Sequence, residues 1–148
     1  MTAALAAAAE AGERGEVPVG AVVVSDDRLL ASGGNRSIAE HDPAGHAEVI
    51  ALRAAGRAVR NYRLTGATLY VTVEPCLMCV GAALHARVER LVFGCADPKG
   101  GAAGSLYDVT DDPRLNHRIA VVRGVEKDAC RALLQQFFRA RRKARATR

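Results

Sequence analysis

Tryptophan is absent, and aromatic residues make up only 4% of the 148-residue chain. That scarcity excludes a surface that holds nucleic acid by stacking many bases. Long apolar runs are missing as well. The longest strongly apolar stretch, residues 17–24 (VPVGAVVV), falls far short of the ~18 residues that a membrane span needs, and it reads as a buried strand. Cysteine is limited to four residues, and no disulfide framework is required, because a chain of this length buries roughly 68–70% of its unfolded surface. With 49% hydrophobic and 25% charged residues the composition excludes disorder and fits one globular domain, residues 1–148. The alanine-rich start lacks a basic leader and runs into Glu10, Glu13 and Glu16. It reads as a helix rather than a signal peptide, and a cytoplasmic protein with no membrane segment is the expectation.

The positive charge is unevenly placed. Lys and Arg number 21 against 16 Asp and Glu, and six of the 21 fall in residues 139–148 (RARRKARATR), where there is no acid. The rest of the chain is therefore nearly neutral. A terminal basic run is the electrostatic footprint of a phosphate backbone, although a merely solvated tail has the same composition. With so few aromatics, any nucleic acid would be held mainly by charge and by one or two pockets.

Helix and strand patterns alternate without internal repeats. A helix over residues 2–14 should end at Gly12 or Gly15, since glycine accepts the left-handed conformation that closes a helix. VPVGAVVV and RLLASGGN, joined at Ser25-Asp26-Asp27, read as a hairpin. Asp42-Pro43 predicts a helix start, with the helix running to residue 60. Within it Arg53, Arg57 and Arg60 form a polar stripe, while Ile50, Ala51, Ala54 and Ala58 are predicted to face the core. Residues 67–74 read as a strand stopped by Pro75, CLMCVGAALHARV as a helix, and LVFGC and residues 119–124 as two further strands. Residues 97–118 are a Gly- and Pro-punctuated connection, long enough to be a binding loop. The last helix begins near residue 127, with Leu133, Leu134, Phe137 and Phe138 on one face and the basic segment extending to 148. Together these patterns predict an α/β fold, a three-layer α/β/α sandwich around a five-stranded mixed sheet.

Two short motifs carry the chemistry: His46-Ala47-Glu48 and, after an interval of 26 residues, Pro75-Cys76-Leu77-Met78-Cys79. Cysteines three apart on a first helical turn aim both sulfurs at one point, and the positive end of the helix favours thiolate. Two soft thiolates and an imidazole suit Zn²⁺. A CxxC alone also fits a structural zinc knuckle or a redox pair. The remaining cysteines do not complete a four-ligand site: a second CxxC after Cys95 would need sulfur at position 98, which is proline, and Cys130 has apolar neighbours. Both read as small core residues. Three ligands and one vacancy are the arrangement of a catalytic zinc, which lowers the pKa of bound water to about 7. Glu48, two residues from His46, is better placed as a neighbouring acid/base than as a fourth ligand. Glu74 is a second candidate, and spacing does not decide between them; the other reading of Glu74 is a buried carboxylate paired with backbone donors. His41, His85 and His117 read as ordinary surface or core histidines, with His117 set apart by its place in the long loop.

The pair HAE…PCLMC has the H-x-E…P-C-x-x-C pattern of zinc-dependent nucleobase deaminases. Over nearly its full length, through GEVPVGAVVV, GGNRSI, HDPAGHAEVIALR, NYRL, ATLYVTVEPCLMC, LVFGCADPKGGAAGSL, NHR and QFFRARR, the chain resembles the bacterial tRNA-specific adenosine deaminases. The resemblance implies a cytidine deaminase-like fold and one Zn²⁺ per subunit, held by His46, Cys76 and Cys79. It implies that Glu48 transfers protons while the wobble adenosine of a tRNA anticodon becomes inosine with release of ammonia. It further implies that Asn35 and the backbone N–H of Ala47 meet the purine, and that Val17 is an apolar wall. Asp97 and Lys99 would touch ribose and phosphate, and Phe138, Arg141 and Arg142 the anticodon stem-loop. The family is homodimeric, which implies a homodimer here. Two other readings share the motifs: a deaminase of free bases or nucleosides, which would not need the basic tail, and a structural-zinc RNA-binding module, which would not need Glu48.

Overall fold

A computed structural model describes residues 1–148. The first helix, α1 (Thr2–Glu13), ends where Gly15 adopts φ +83°. There the amide of Gly15 bonds the Gly12 carbonyl and that of Glu16 bonds the Ala11 carbonyl, so the last carbonyls of the helix are satisfied by the chain that leaves it. Of the two expected stops, Gly15 is the one used. The Glu16 side chain is buried and accepts from the amides of Ile38 (3.1 Å) and Ala39 (2.8 Å). The end of α1 is thereby tied to the segment that leads into His46.

Strands β1 (Gly20–Ser25) and β2 (Arg28–Gly34) form the expected hairpin. Its two central residues, Asp26 and Asp27, both have positive φ, the turn whose twist matches paired strands. Strand β1 starts at Gly20 rather than Val17, so residues 17–19 approach the sheet as irregular chain. A Cβ at residue 20 would overlap the Ala4 carbonyl oxygen and the Ala8 amide nitrogen of α1. Both are backbone atoms that cannot move aside. Gly20→Ala is therefore expected to destabilise the fold by at least about 1–3 kcal/mol, read as a lowered urea midpoint with an unchanged m-value.

Helix α2 (Ala47–Val59) starts later than Asp42-Pro43 predicts. Asp42 Oδ1 accepts from the Ala44 amide at 2.8 Å and the Asp42 carbonyl from the Gly45 amide at 3.0 Å, so the dipeptide makes a turn of its own. The core face of α2 differs in part from the expected one. Ala47, Ala51, Leu52 and Ala55 are buried, Ile50 and Ala54 are half-buried, and Ala58 is exposed. Strand β3 (Thr68–Val73), helix α3 (Leu77–His85) and strand β4 (Arg90–Cys95) follow, then β5 (Ala120–Val122) and α4 (Lys127–Ala146).

The sheet order is β2-β1-β3-β4-β5, with β1 antiparallel to both neighbours and β3, β4 and β5 parallel. Helices α2 and α3 cover one face, and α1 and α4 the other. This is the three-layer α/β sandwich on a five-stranded mixed sheet that the sequence predicts. Leu69 of β3 and Leu91 of β4 are fully buried beneath α2 and α3, each contributing roughly 1.5–3 kcal/mol of apolar burial. Cys95 and Cys130 are buried as free thiols. No helix is long and apolar enough to cross a membrane.

Candidate zinc-dependent active site

Two helices begin at the same point. His46 precedes α2 and Cys76 precedes α3, both with extended backbone and neither capped by its own side chain. The unpaired amides and positive dipole ends of α2 and α3 therefore converge where negative sulfur is wanted. Asn35, at the end of the hairpin, supplies the missing cap from outside: its Oδ1 accepts from the Ala47 amide at 2.8 Å. Asn35 and the Ala47 N–H, each expected to meet a base, are here bonded to one another. The Nδ2 side of the Asn35 amide is left for a ligand.

His46 Nδ1 lies 3.6 Å from Cys76 Sγ and 3.4 Å from Cys79 Sγ, and the two sulfurs are 3.8 Å apart. A tetrahedral zinc with sulfur at about 2.3 Å and nitrogen at about 2.0–2.1 Å requires edges of about 3.8 Å between sulfurs and about 3.6 Å from nitrogen to sulfur. The three atoms fit that ion. The three groups also set one another's proton affinities. The Cys76 thiol is pulled down to about 3 by hydrogen bonds with Cys79 and His46, whereas Cys79 is pushed well up by its bond to Cys76 and by burial. His46 is raised by its hydrogen bond to Cys76. A divalent cation held there would require all three groups to be deprotonated. No other cluster of His, Cys, Asp and Glu side chains has this geometry.

Glu48, in the first turn of α2, is 4% exposed. Burial pushes its carboxyl up to about 7, the range suited to a group that both takes and gives a proton near neutrality. It stands outside the three ligating atoms. Glu48 lines a cavity of about 320 Å³ together with Val17, Asn35, His46, Cys76, Asp97 and Phe138. Seven residues singled out from the sequence thus surround one space. Cys79 is fully buried beside it.

Val19, Val73, Glu74 and Leu134 complete the lining. The three apolar residues carry only an ordinary strand or helix pattern. Glu74, the second acid/base candidate, has its oxygens occupied by the amides of Asp97, Ala103 and Ser105 and by the Ser105 hydroxyl. Of the two candidates Glu48 and Glu74, only Glu48 is therefore free of the loop amides.

Lys99 is exposed on the loop, with its amide donated to Asp97 Oδ1, and it does not line the cavity. Arg141 and Arg142 of α4 separate. Arg142 lines a neighbouring groove with Arg131, Arg139, Leu134 and Phe138, whereas the Arg141 guanidinium lies over the Phe137 ring, 5.3 Å from its centroid. His117 Nε2 donates to the Val88 carbonyl at 2.7 Å, a hydrogen bond that ties the long loop to the connection between α3 and β4.

Comparison with known proteins agrees with this chemistry. Residues 1–95 match the cytidine and deoxycytidylate deaminase zinc-binding region. The chain is 50% identical to the tRNA-specific adenosine deaminase of Haemophilus influenzae, covering 96% of this chain and 83% of that protein. It is 45% identical to the protein of the same name from Bacillus subtilis, over 97% and 89% of the two chains. A solved structure from studies of A-to-I editing by tRNA:A34 deaminases at the wobble position of transfer RNA superposes with a TM-score of 0.85. It is 43% identical and covers 90% of this chain and 97% of that one. Similarity at this level over almost the whole length, on a fold whose two helix starts assemble a zinc-sized His-Cys-Cys cluster, places the chain in the tRNA-specific adenosine deaminase family of zinc-dependent enzymes.

Proposed function

We propose that this enzyme hydrolyses the wobble adenosine of a tRNA anticodon to inosine and ammonia, as a homodimer in the cytoplasm. One observation favours a polymeric substrate over a free base: the catalytic cavity shares Leu134 and Phe138 with the groove lined by Arg131, Arg139 and Arg142. A nucleotide in the cavity has a place for its flanking phosphates, and a free base has no use for one. The names of the relatives point to the same substrate.

His46, Cys76 and Cys79 would hold the zinc, which when bound would acidify a water to a pKa of about 7. Glu48 is placed to carry both protons of the attacking water in turn, the first to N1 of the purine and the second to the departing amine. Water's oxygen ends on C6 and ammonia leaves, so that atoms and charge balance. Asn35 offers its amide to the purine edge, while Val17, Val19 and Val73 form apolar walls. Phe138, 43% exposed at the rim, offers a face for a neighbouring base. Inserting the adenosine requires unstacking it, which an anticodon loop permits at lower cost than a duplex. Asp97 and Lys99 approach ribose and phosphate, and Arg141 and Arg142 the stem.

The test is a substrate panel of an anticodon stem-loop with adenosine at the wobble position, adenosine itself, guanine and cytosine. Inosine in the RNA with matching ammonia is expected. Ammonia from a free base alone would contradict the proposal. Removing residues 139–148 deletes six positive charges and should weaken RNA binding and flatten its salt dependence, since each phosphate contact on a single strand adds about 0.7 to the slope. An unchanged slope would show that the tail is only solvated.

A further inference from the structure

The connection between β4 and β5 contains no helix, yet its first part is held from one point. Glu74 is 3% exposed. Its Oε1 accepts from the Asp97 amide at 3.3 Å and from the Ser105 hydroxyl, and its Oε2 accepts from the amides of Ala103 and Ser105 at 3.1 Å each. A Cβ on residue 101 would overlap Glu74 Oε2, so only glycine lets the loop close this tightly around the carboxylate. The next residue, Pro75, accepts from the Ala102 amide through its carbonyl at 2.8 Å. The residue after that is the metal ligand Cys76. Three consecutive positions thus fix the loop by a side chain, fix it again by a carbonyl, and fix the metal.

The loop delivers Asp97 to the cavity wall. Asp97 is itself restrained: its Oδ1 accepts from the amides of Lys99 (3.1 Å) and Gly100 (3.2 Å), and its carbonyl from the Gly101 amide (2.8 Å). With its amide bonded to Glu74, Asp97 is held on both sides of its peptide unit and at its side chain. Such a residue meets a ligand in one orientation.

We infer that Glu74 is a positioning residue that sets affinity for the RNA by clamping the 97–105 loop, and with it Asp97, against the metal-ligand segment as one wall of the cavity. The inference rests on the RNA substrate proposed above. Glu74 moves no proton in the reaction. It sets where the rim stands, and so acts on substrate binding equally in the ground and transition states.

Glu74→Gln places an amide NH₂ where an acceptor is required. In the zinc-loaded variant, the amides of Asp97, Ala103 and Ser105 should exchange with deuterium faster than in the wild type. KM for the anticodon stem-loop should rise so that kcat/KM falls roughly 10–100-fold, with kcat and zinc content close to wild type. Gly101→Ala attacks the same clamp from the loop side and should give the same split. Ser105→Ala removes two-sided anchoring by one hydroxyl and should shift KM in the same direction by less. If Glu74→Gln does not fold, these two variants decide the matter. Unchanged KM with faster exchange would reduce Glu74 to a structural role, and loss of kcat at unchanged KM would make it a proton carrier. Either result overturns the inference, as does unaltered exchange. Should the wild-type enzyme leave the stem-loop untouched, the substrate reading fails instead, while the exchange measurement still tests the clamp.

Discussion

Replacing Glu48 by alanine or glutamine is expected to abolish measurable turnover while zinc stays at one ion per chain. Loss of a positioned general acid/base costs roughly 10²–10⁴-fold. The other carboxylates of the cavity are both engaged with the 97–105 loop, Glu74 by the amides of Asp97, Ala103 and Ser105 and Asp97 by those of Lys99 and Gly100. Zinc should survive because the ligating atoms belong to His46, Cys76 and Cys79 alone. The substitution should not lower the melting temperature. A carboxylate 4% exposed, pushed up to about 7 by burial, is held at a cost to folding, and a neutral side chain removes that cost. Metal analysis, initial rates and thermal unfolding on the same preparation read all three. Zinc lost with the carboxylate, or activity retained without it, would contradict the assigned role.

The second large effect falls on the ligands. Cys79→Ala is expected to remove zinc and activity together. The apparent free energy of zinc binding to a full set of protein ligands is about 10–16 kcal/mol, so one ligand contributes about 3–4 kcal/mol, or roughly 10²–10³-fold in affinity. Cys95→Ala and Cys130→Ala are the controls. Cys95 Sγ donates to the Thr72 carbonyl, Cys130 is buried in α4, and neither belongs to the cluster. Both variants should keep zinc and lose only packing energy. Retention of zinc in Cys79→Ala, with loss in either control, would mean that a different set of sulfurs binds the metal.

The chemistry was the most legible part of the sequence, because metal ligation fixes residue type and spacing together. A CxxC on a first helical turn and an HxE before another helix have few geometric solutions, and the structure brings the three ligands within 3.8 Å of one another. The hairpin was legible for a similar reason: two aspartates between apolar runs tolerate the positive φ that the turn demands. What escaped depends on partners distant in sequence. Asp42 carries every mark of a helix cap, but its carboxylate serves its own turn and the cap of α2 arrives from Asn35, twelve residues upstream. Ala58, one residue from the end of α2, is exposed together with Arg57 and Val59 on either side of it. Glu16 is a single acid with no local pattern, yet it is buried and gathers the backbone amides of Ile38 and Ala39, more than 20 residues away. Glu74 is the buried carboxylate paired with backbone donors that its alternative reading describes, and only the identity of those donors, in the 97–105 loop, was hidden. Arg141 and Arg142 are adjacent in a basic run, and only the helix separates them, one over Phe137 and the other beside the groove.

The account depends on a metal held by three protein atoms with a fourth position open to solvent. X-ray absorption at the zinc edge of the purified enzyme measures that directly. The expected spectrum contains two sulfur neighbours at about 2.3 Å and two light-atom neighbours at about 2.0–2.1 Å, one of them the His46 imidazole. A third sulfur in the first coordination sphere, supplied by Cys95 or Cys130, would close the site and contradict the assignment of this protein as a hydrolytic deaminase.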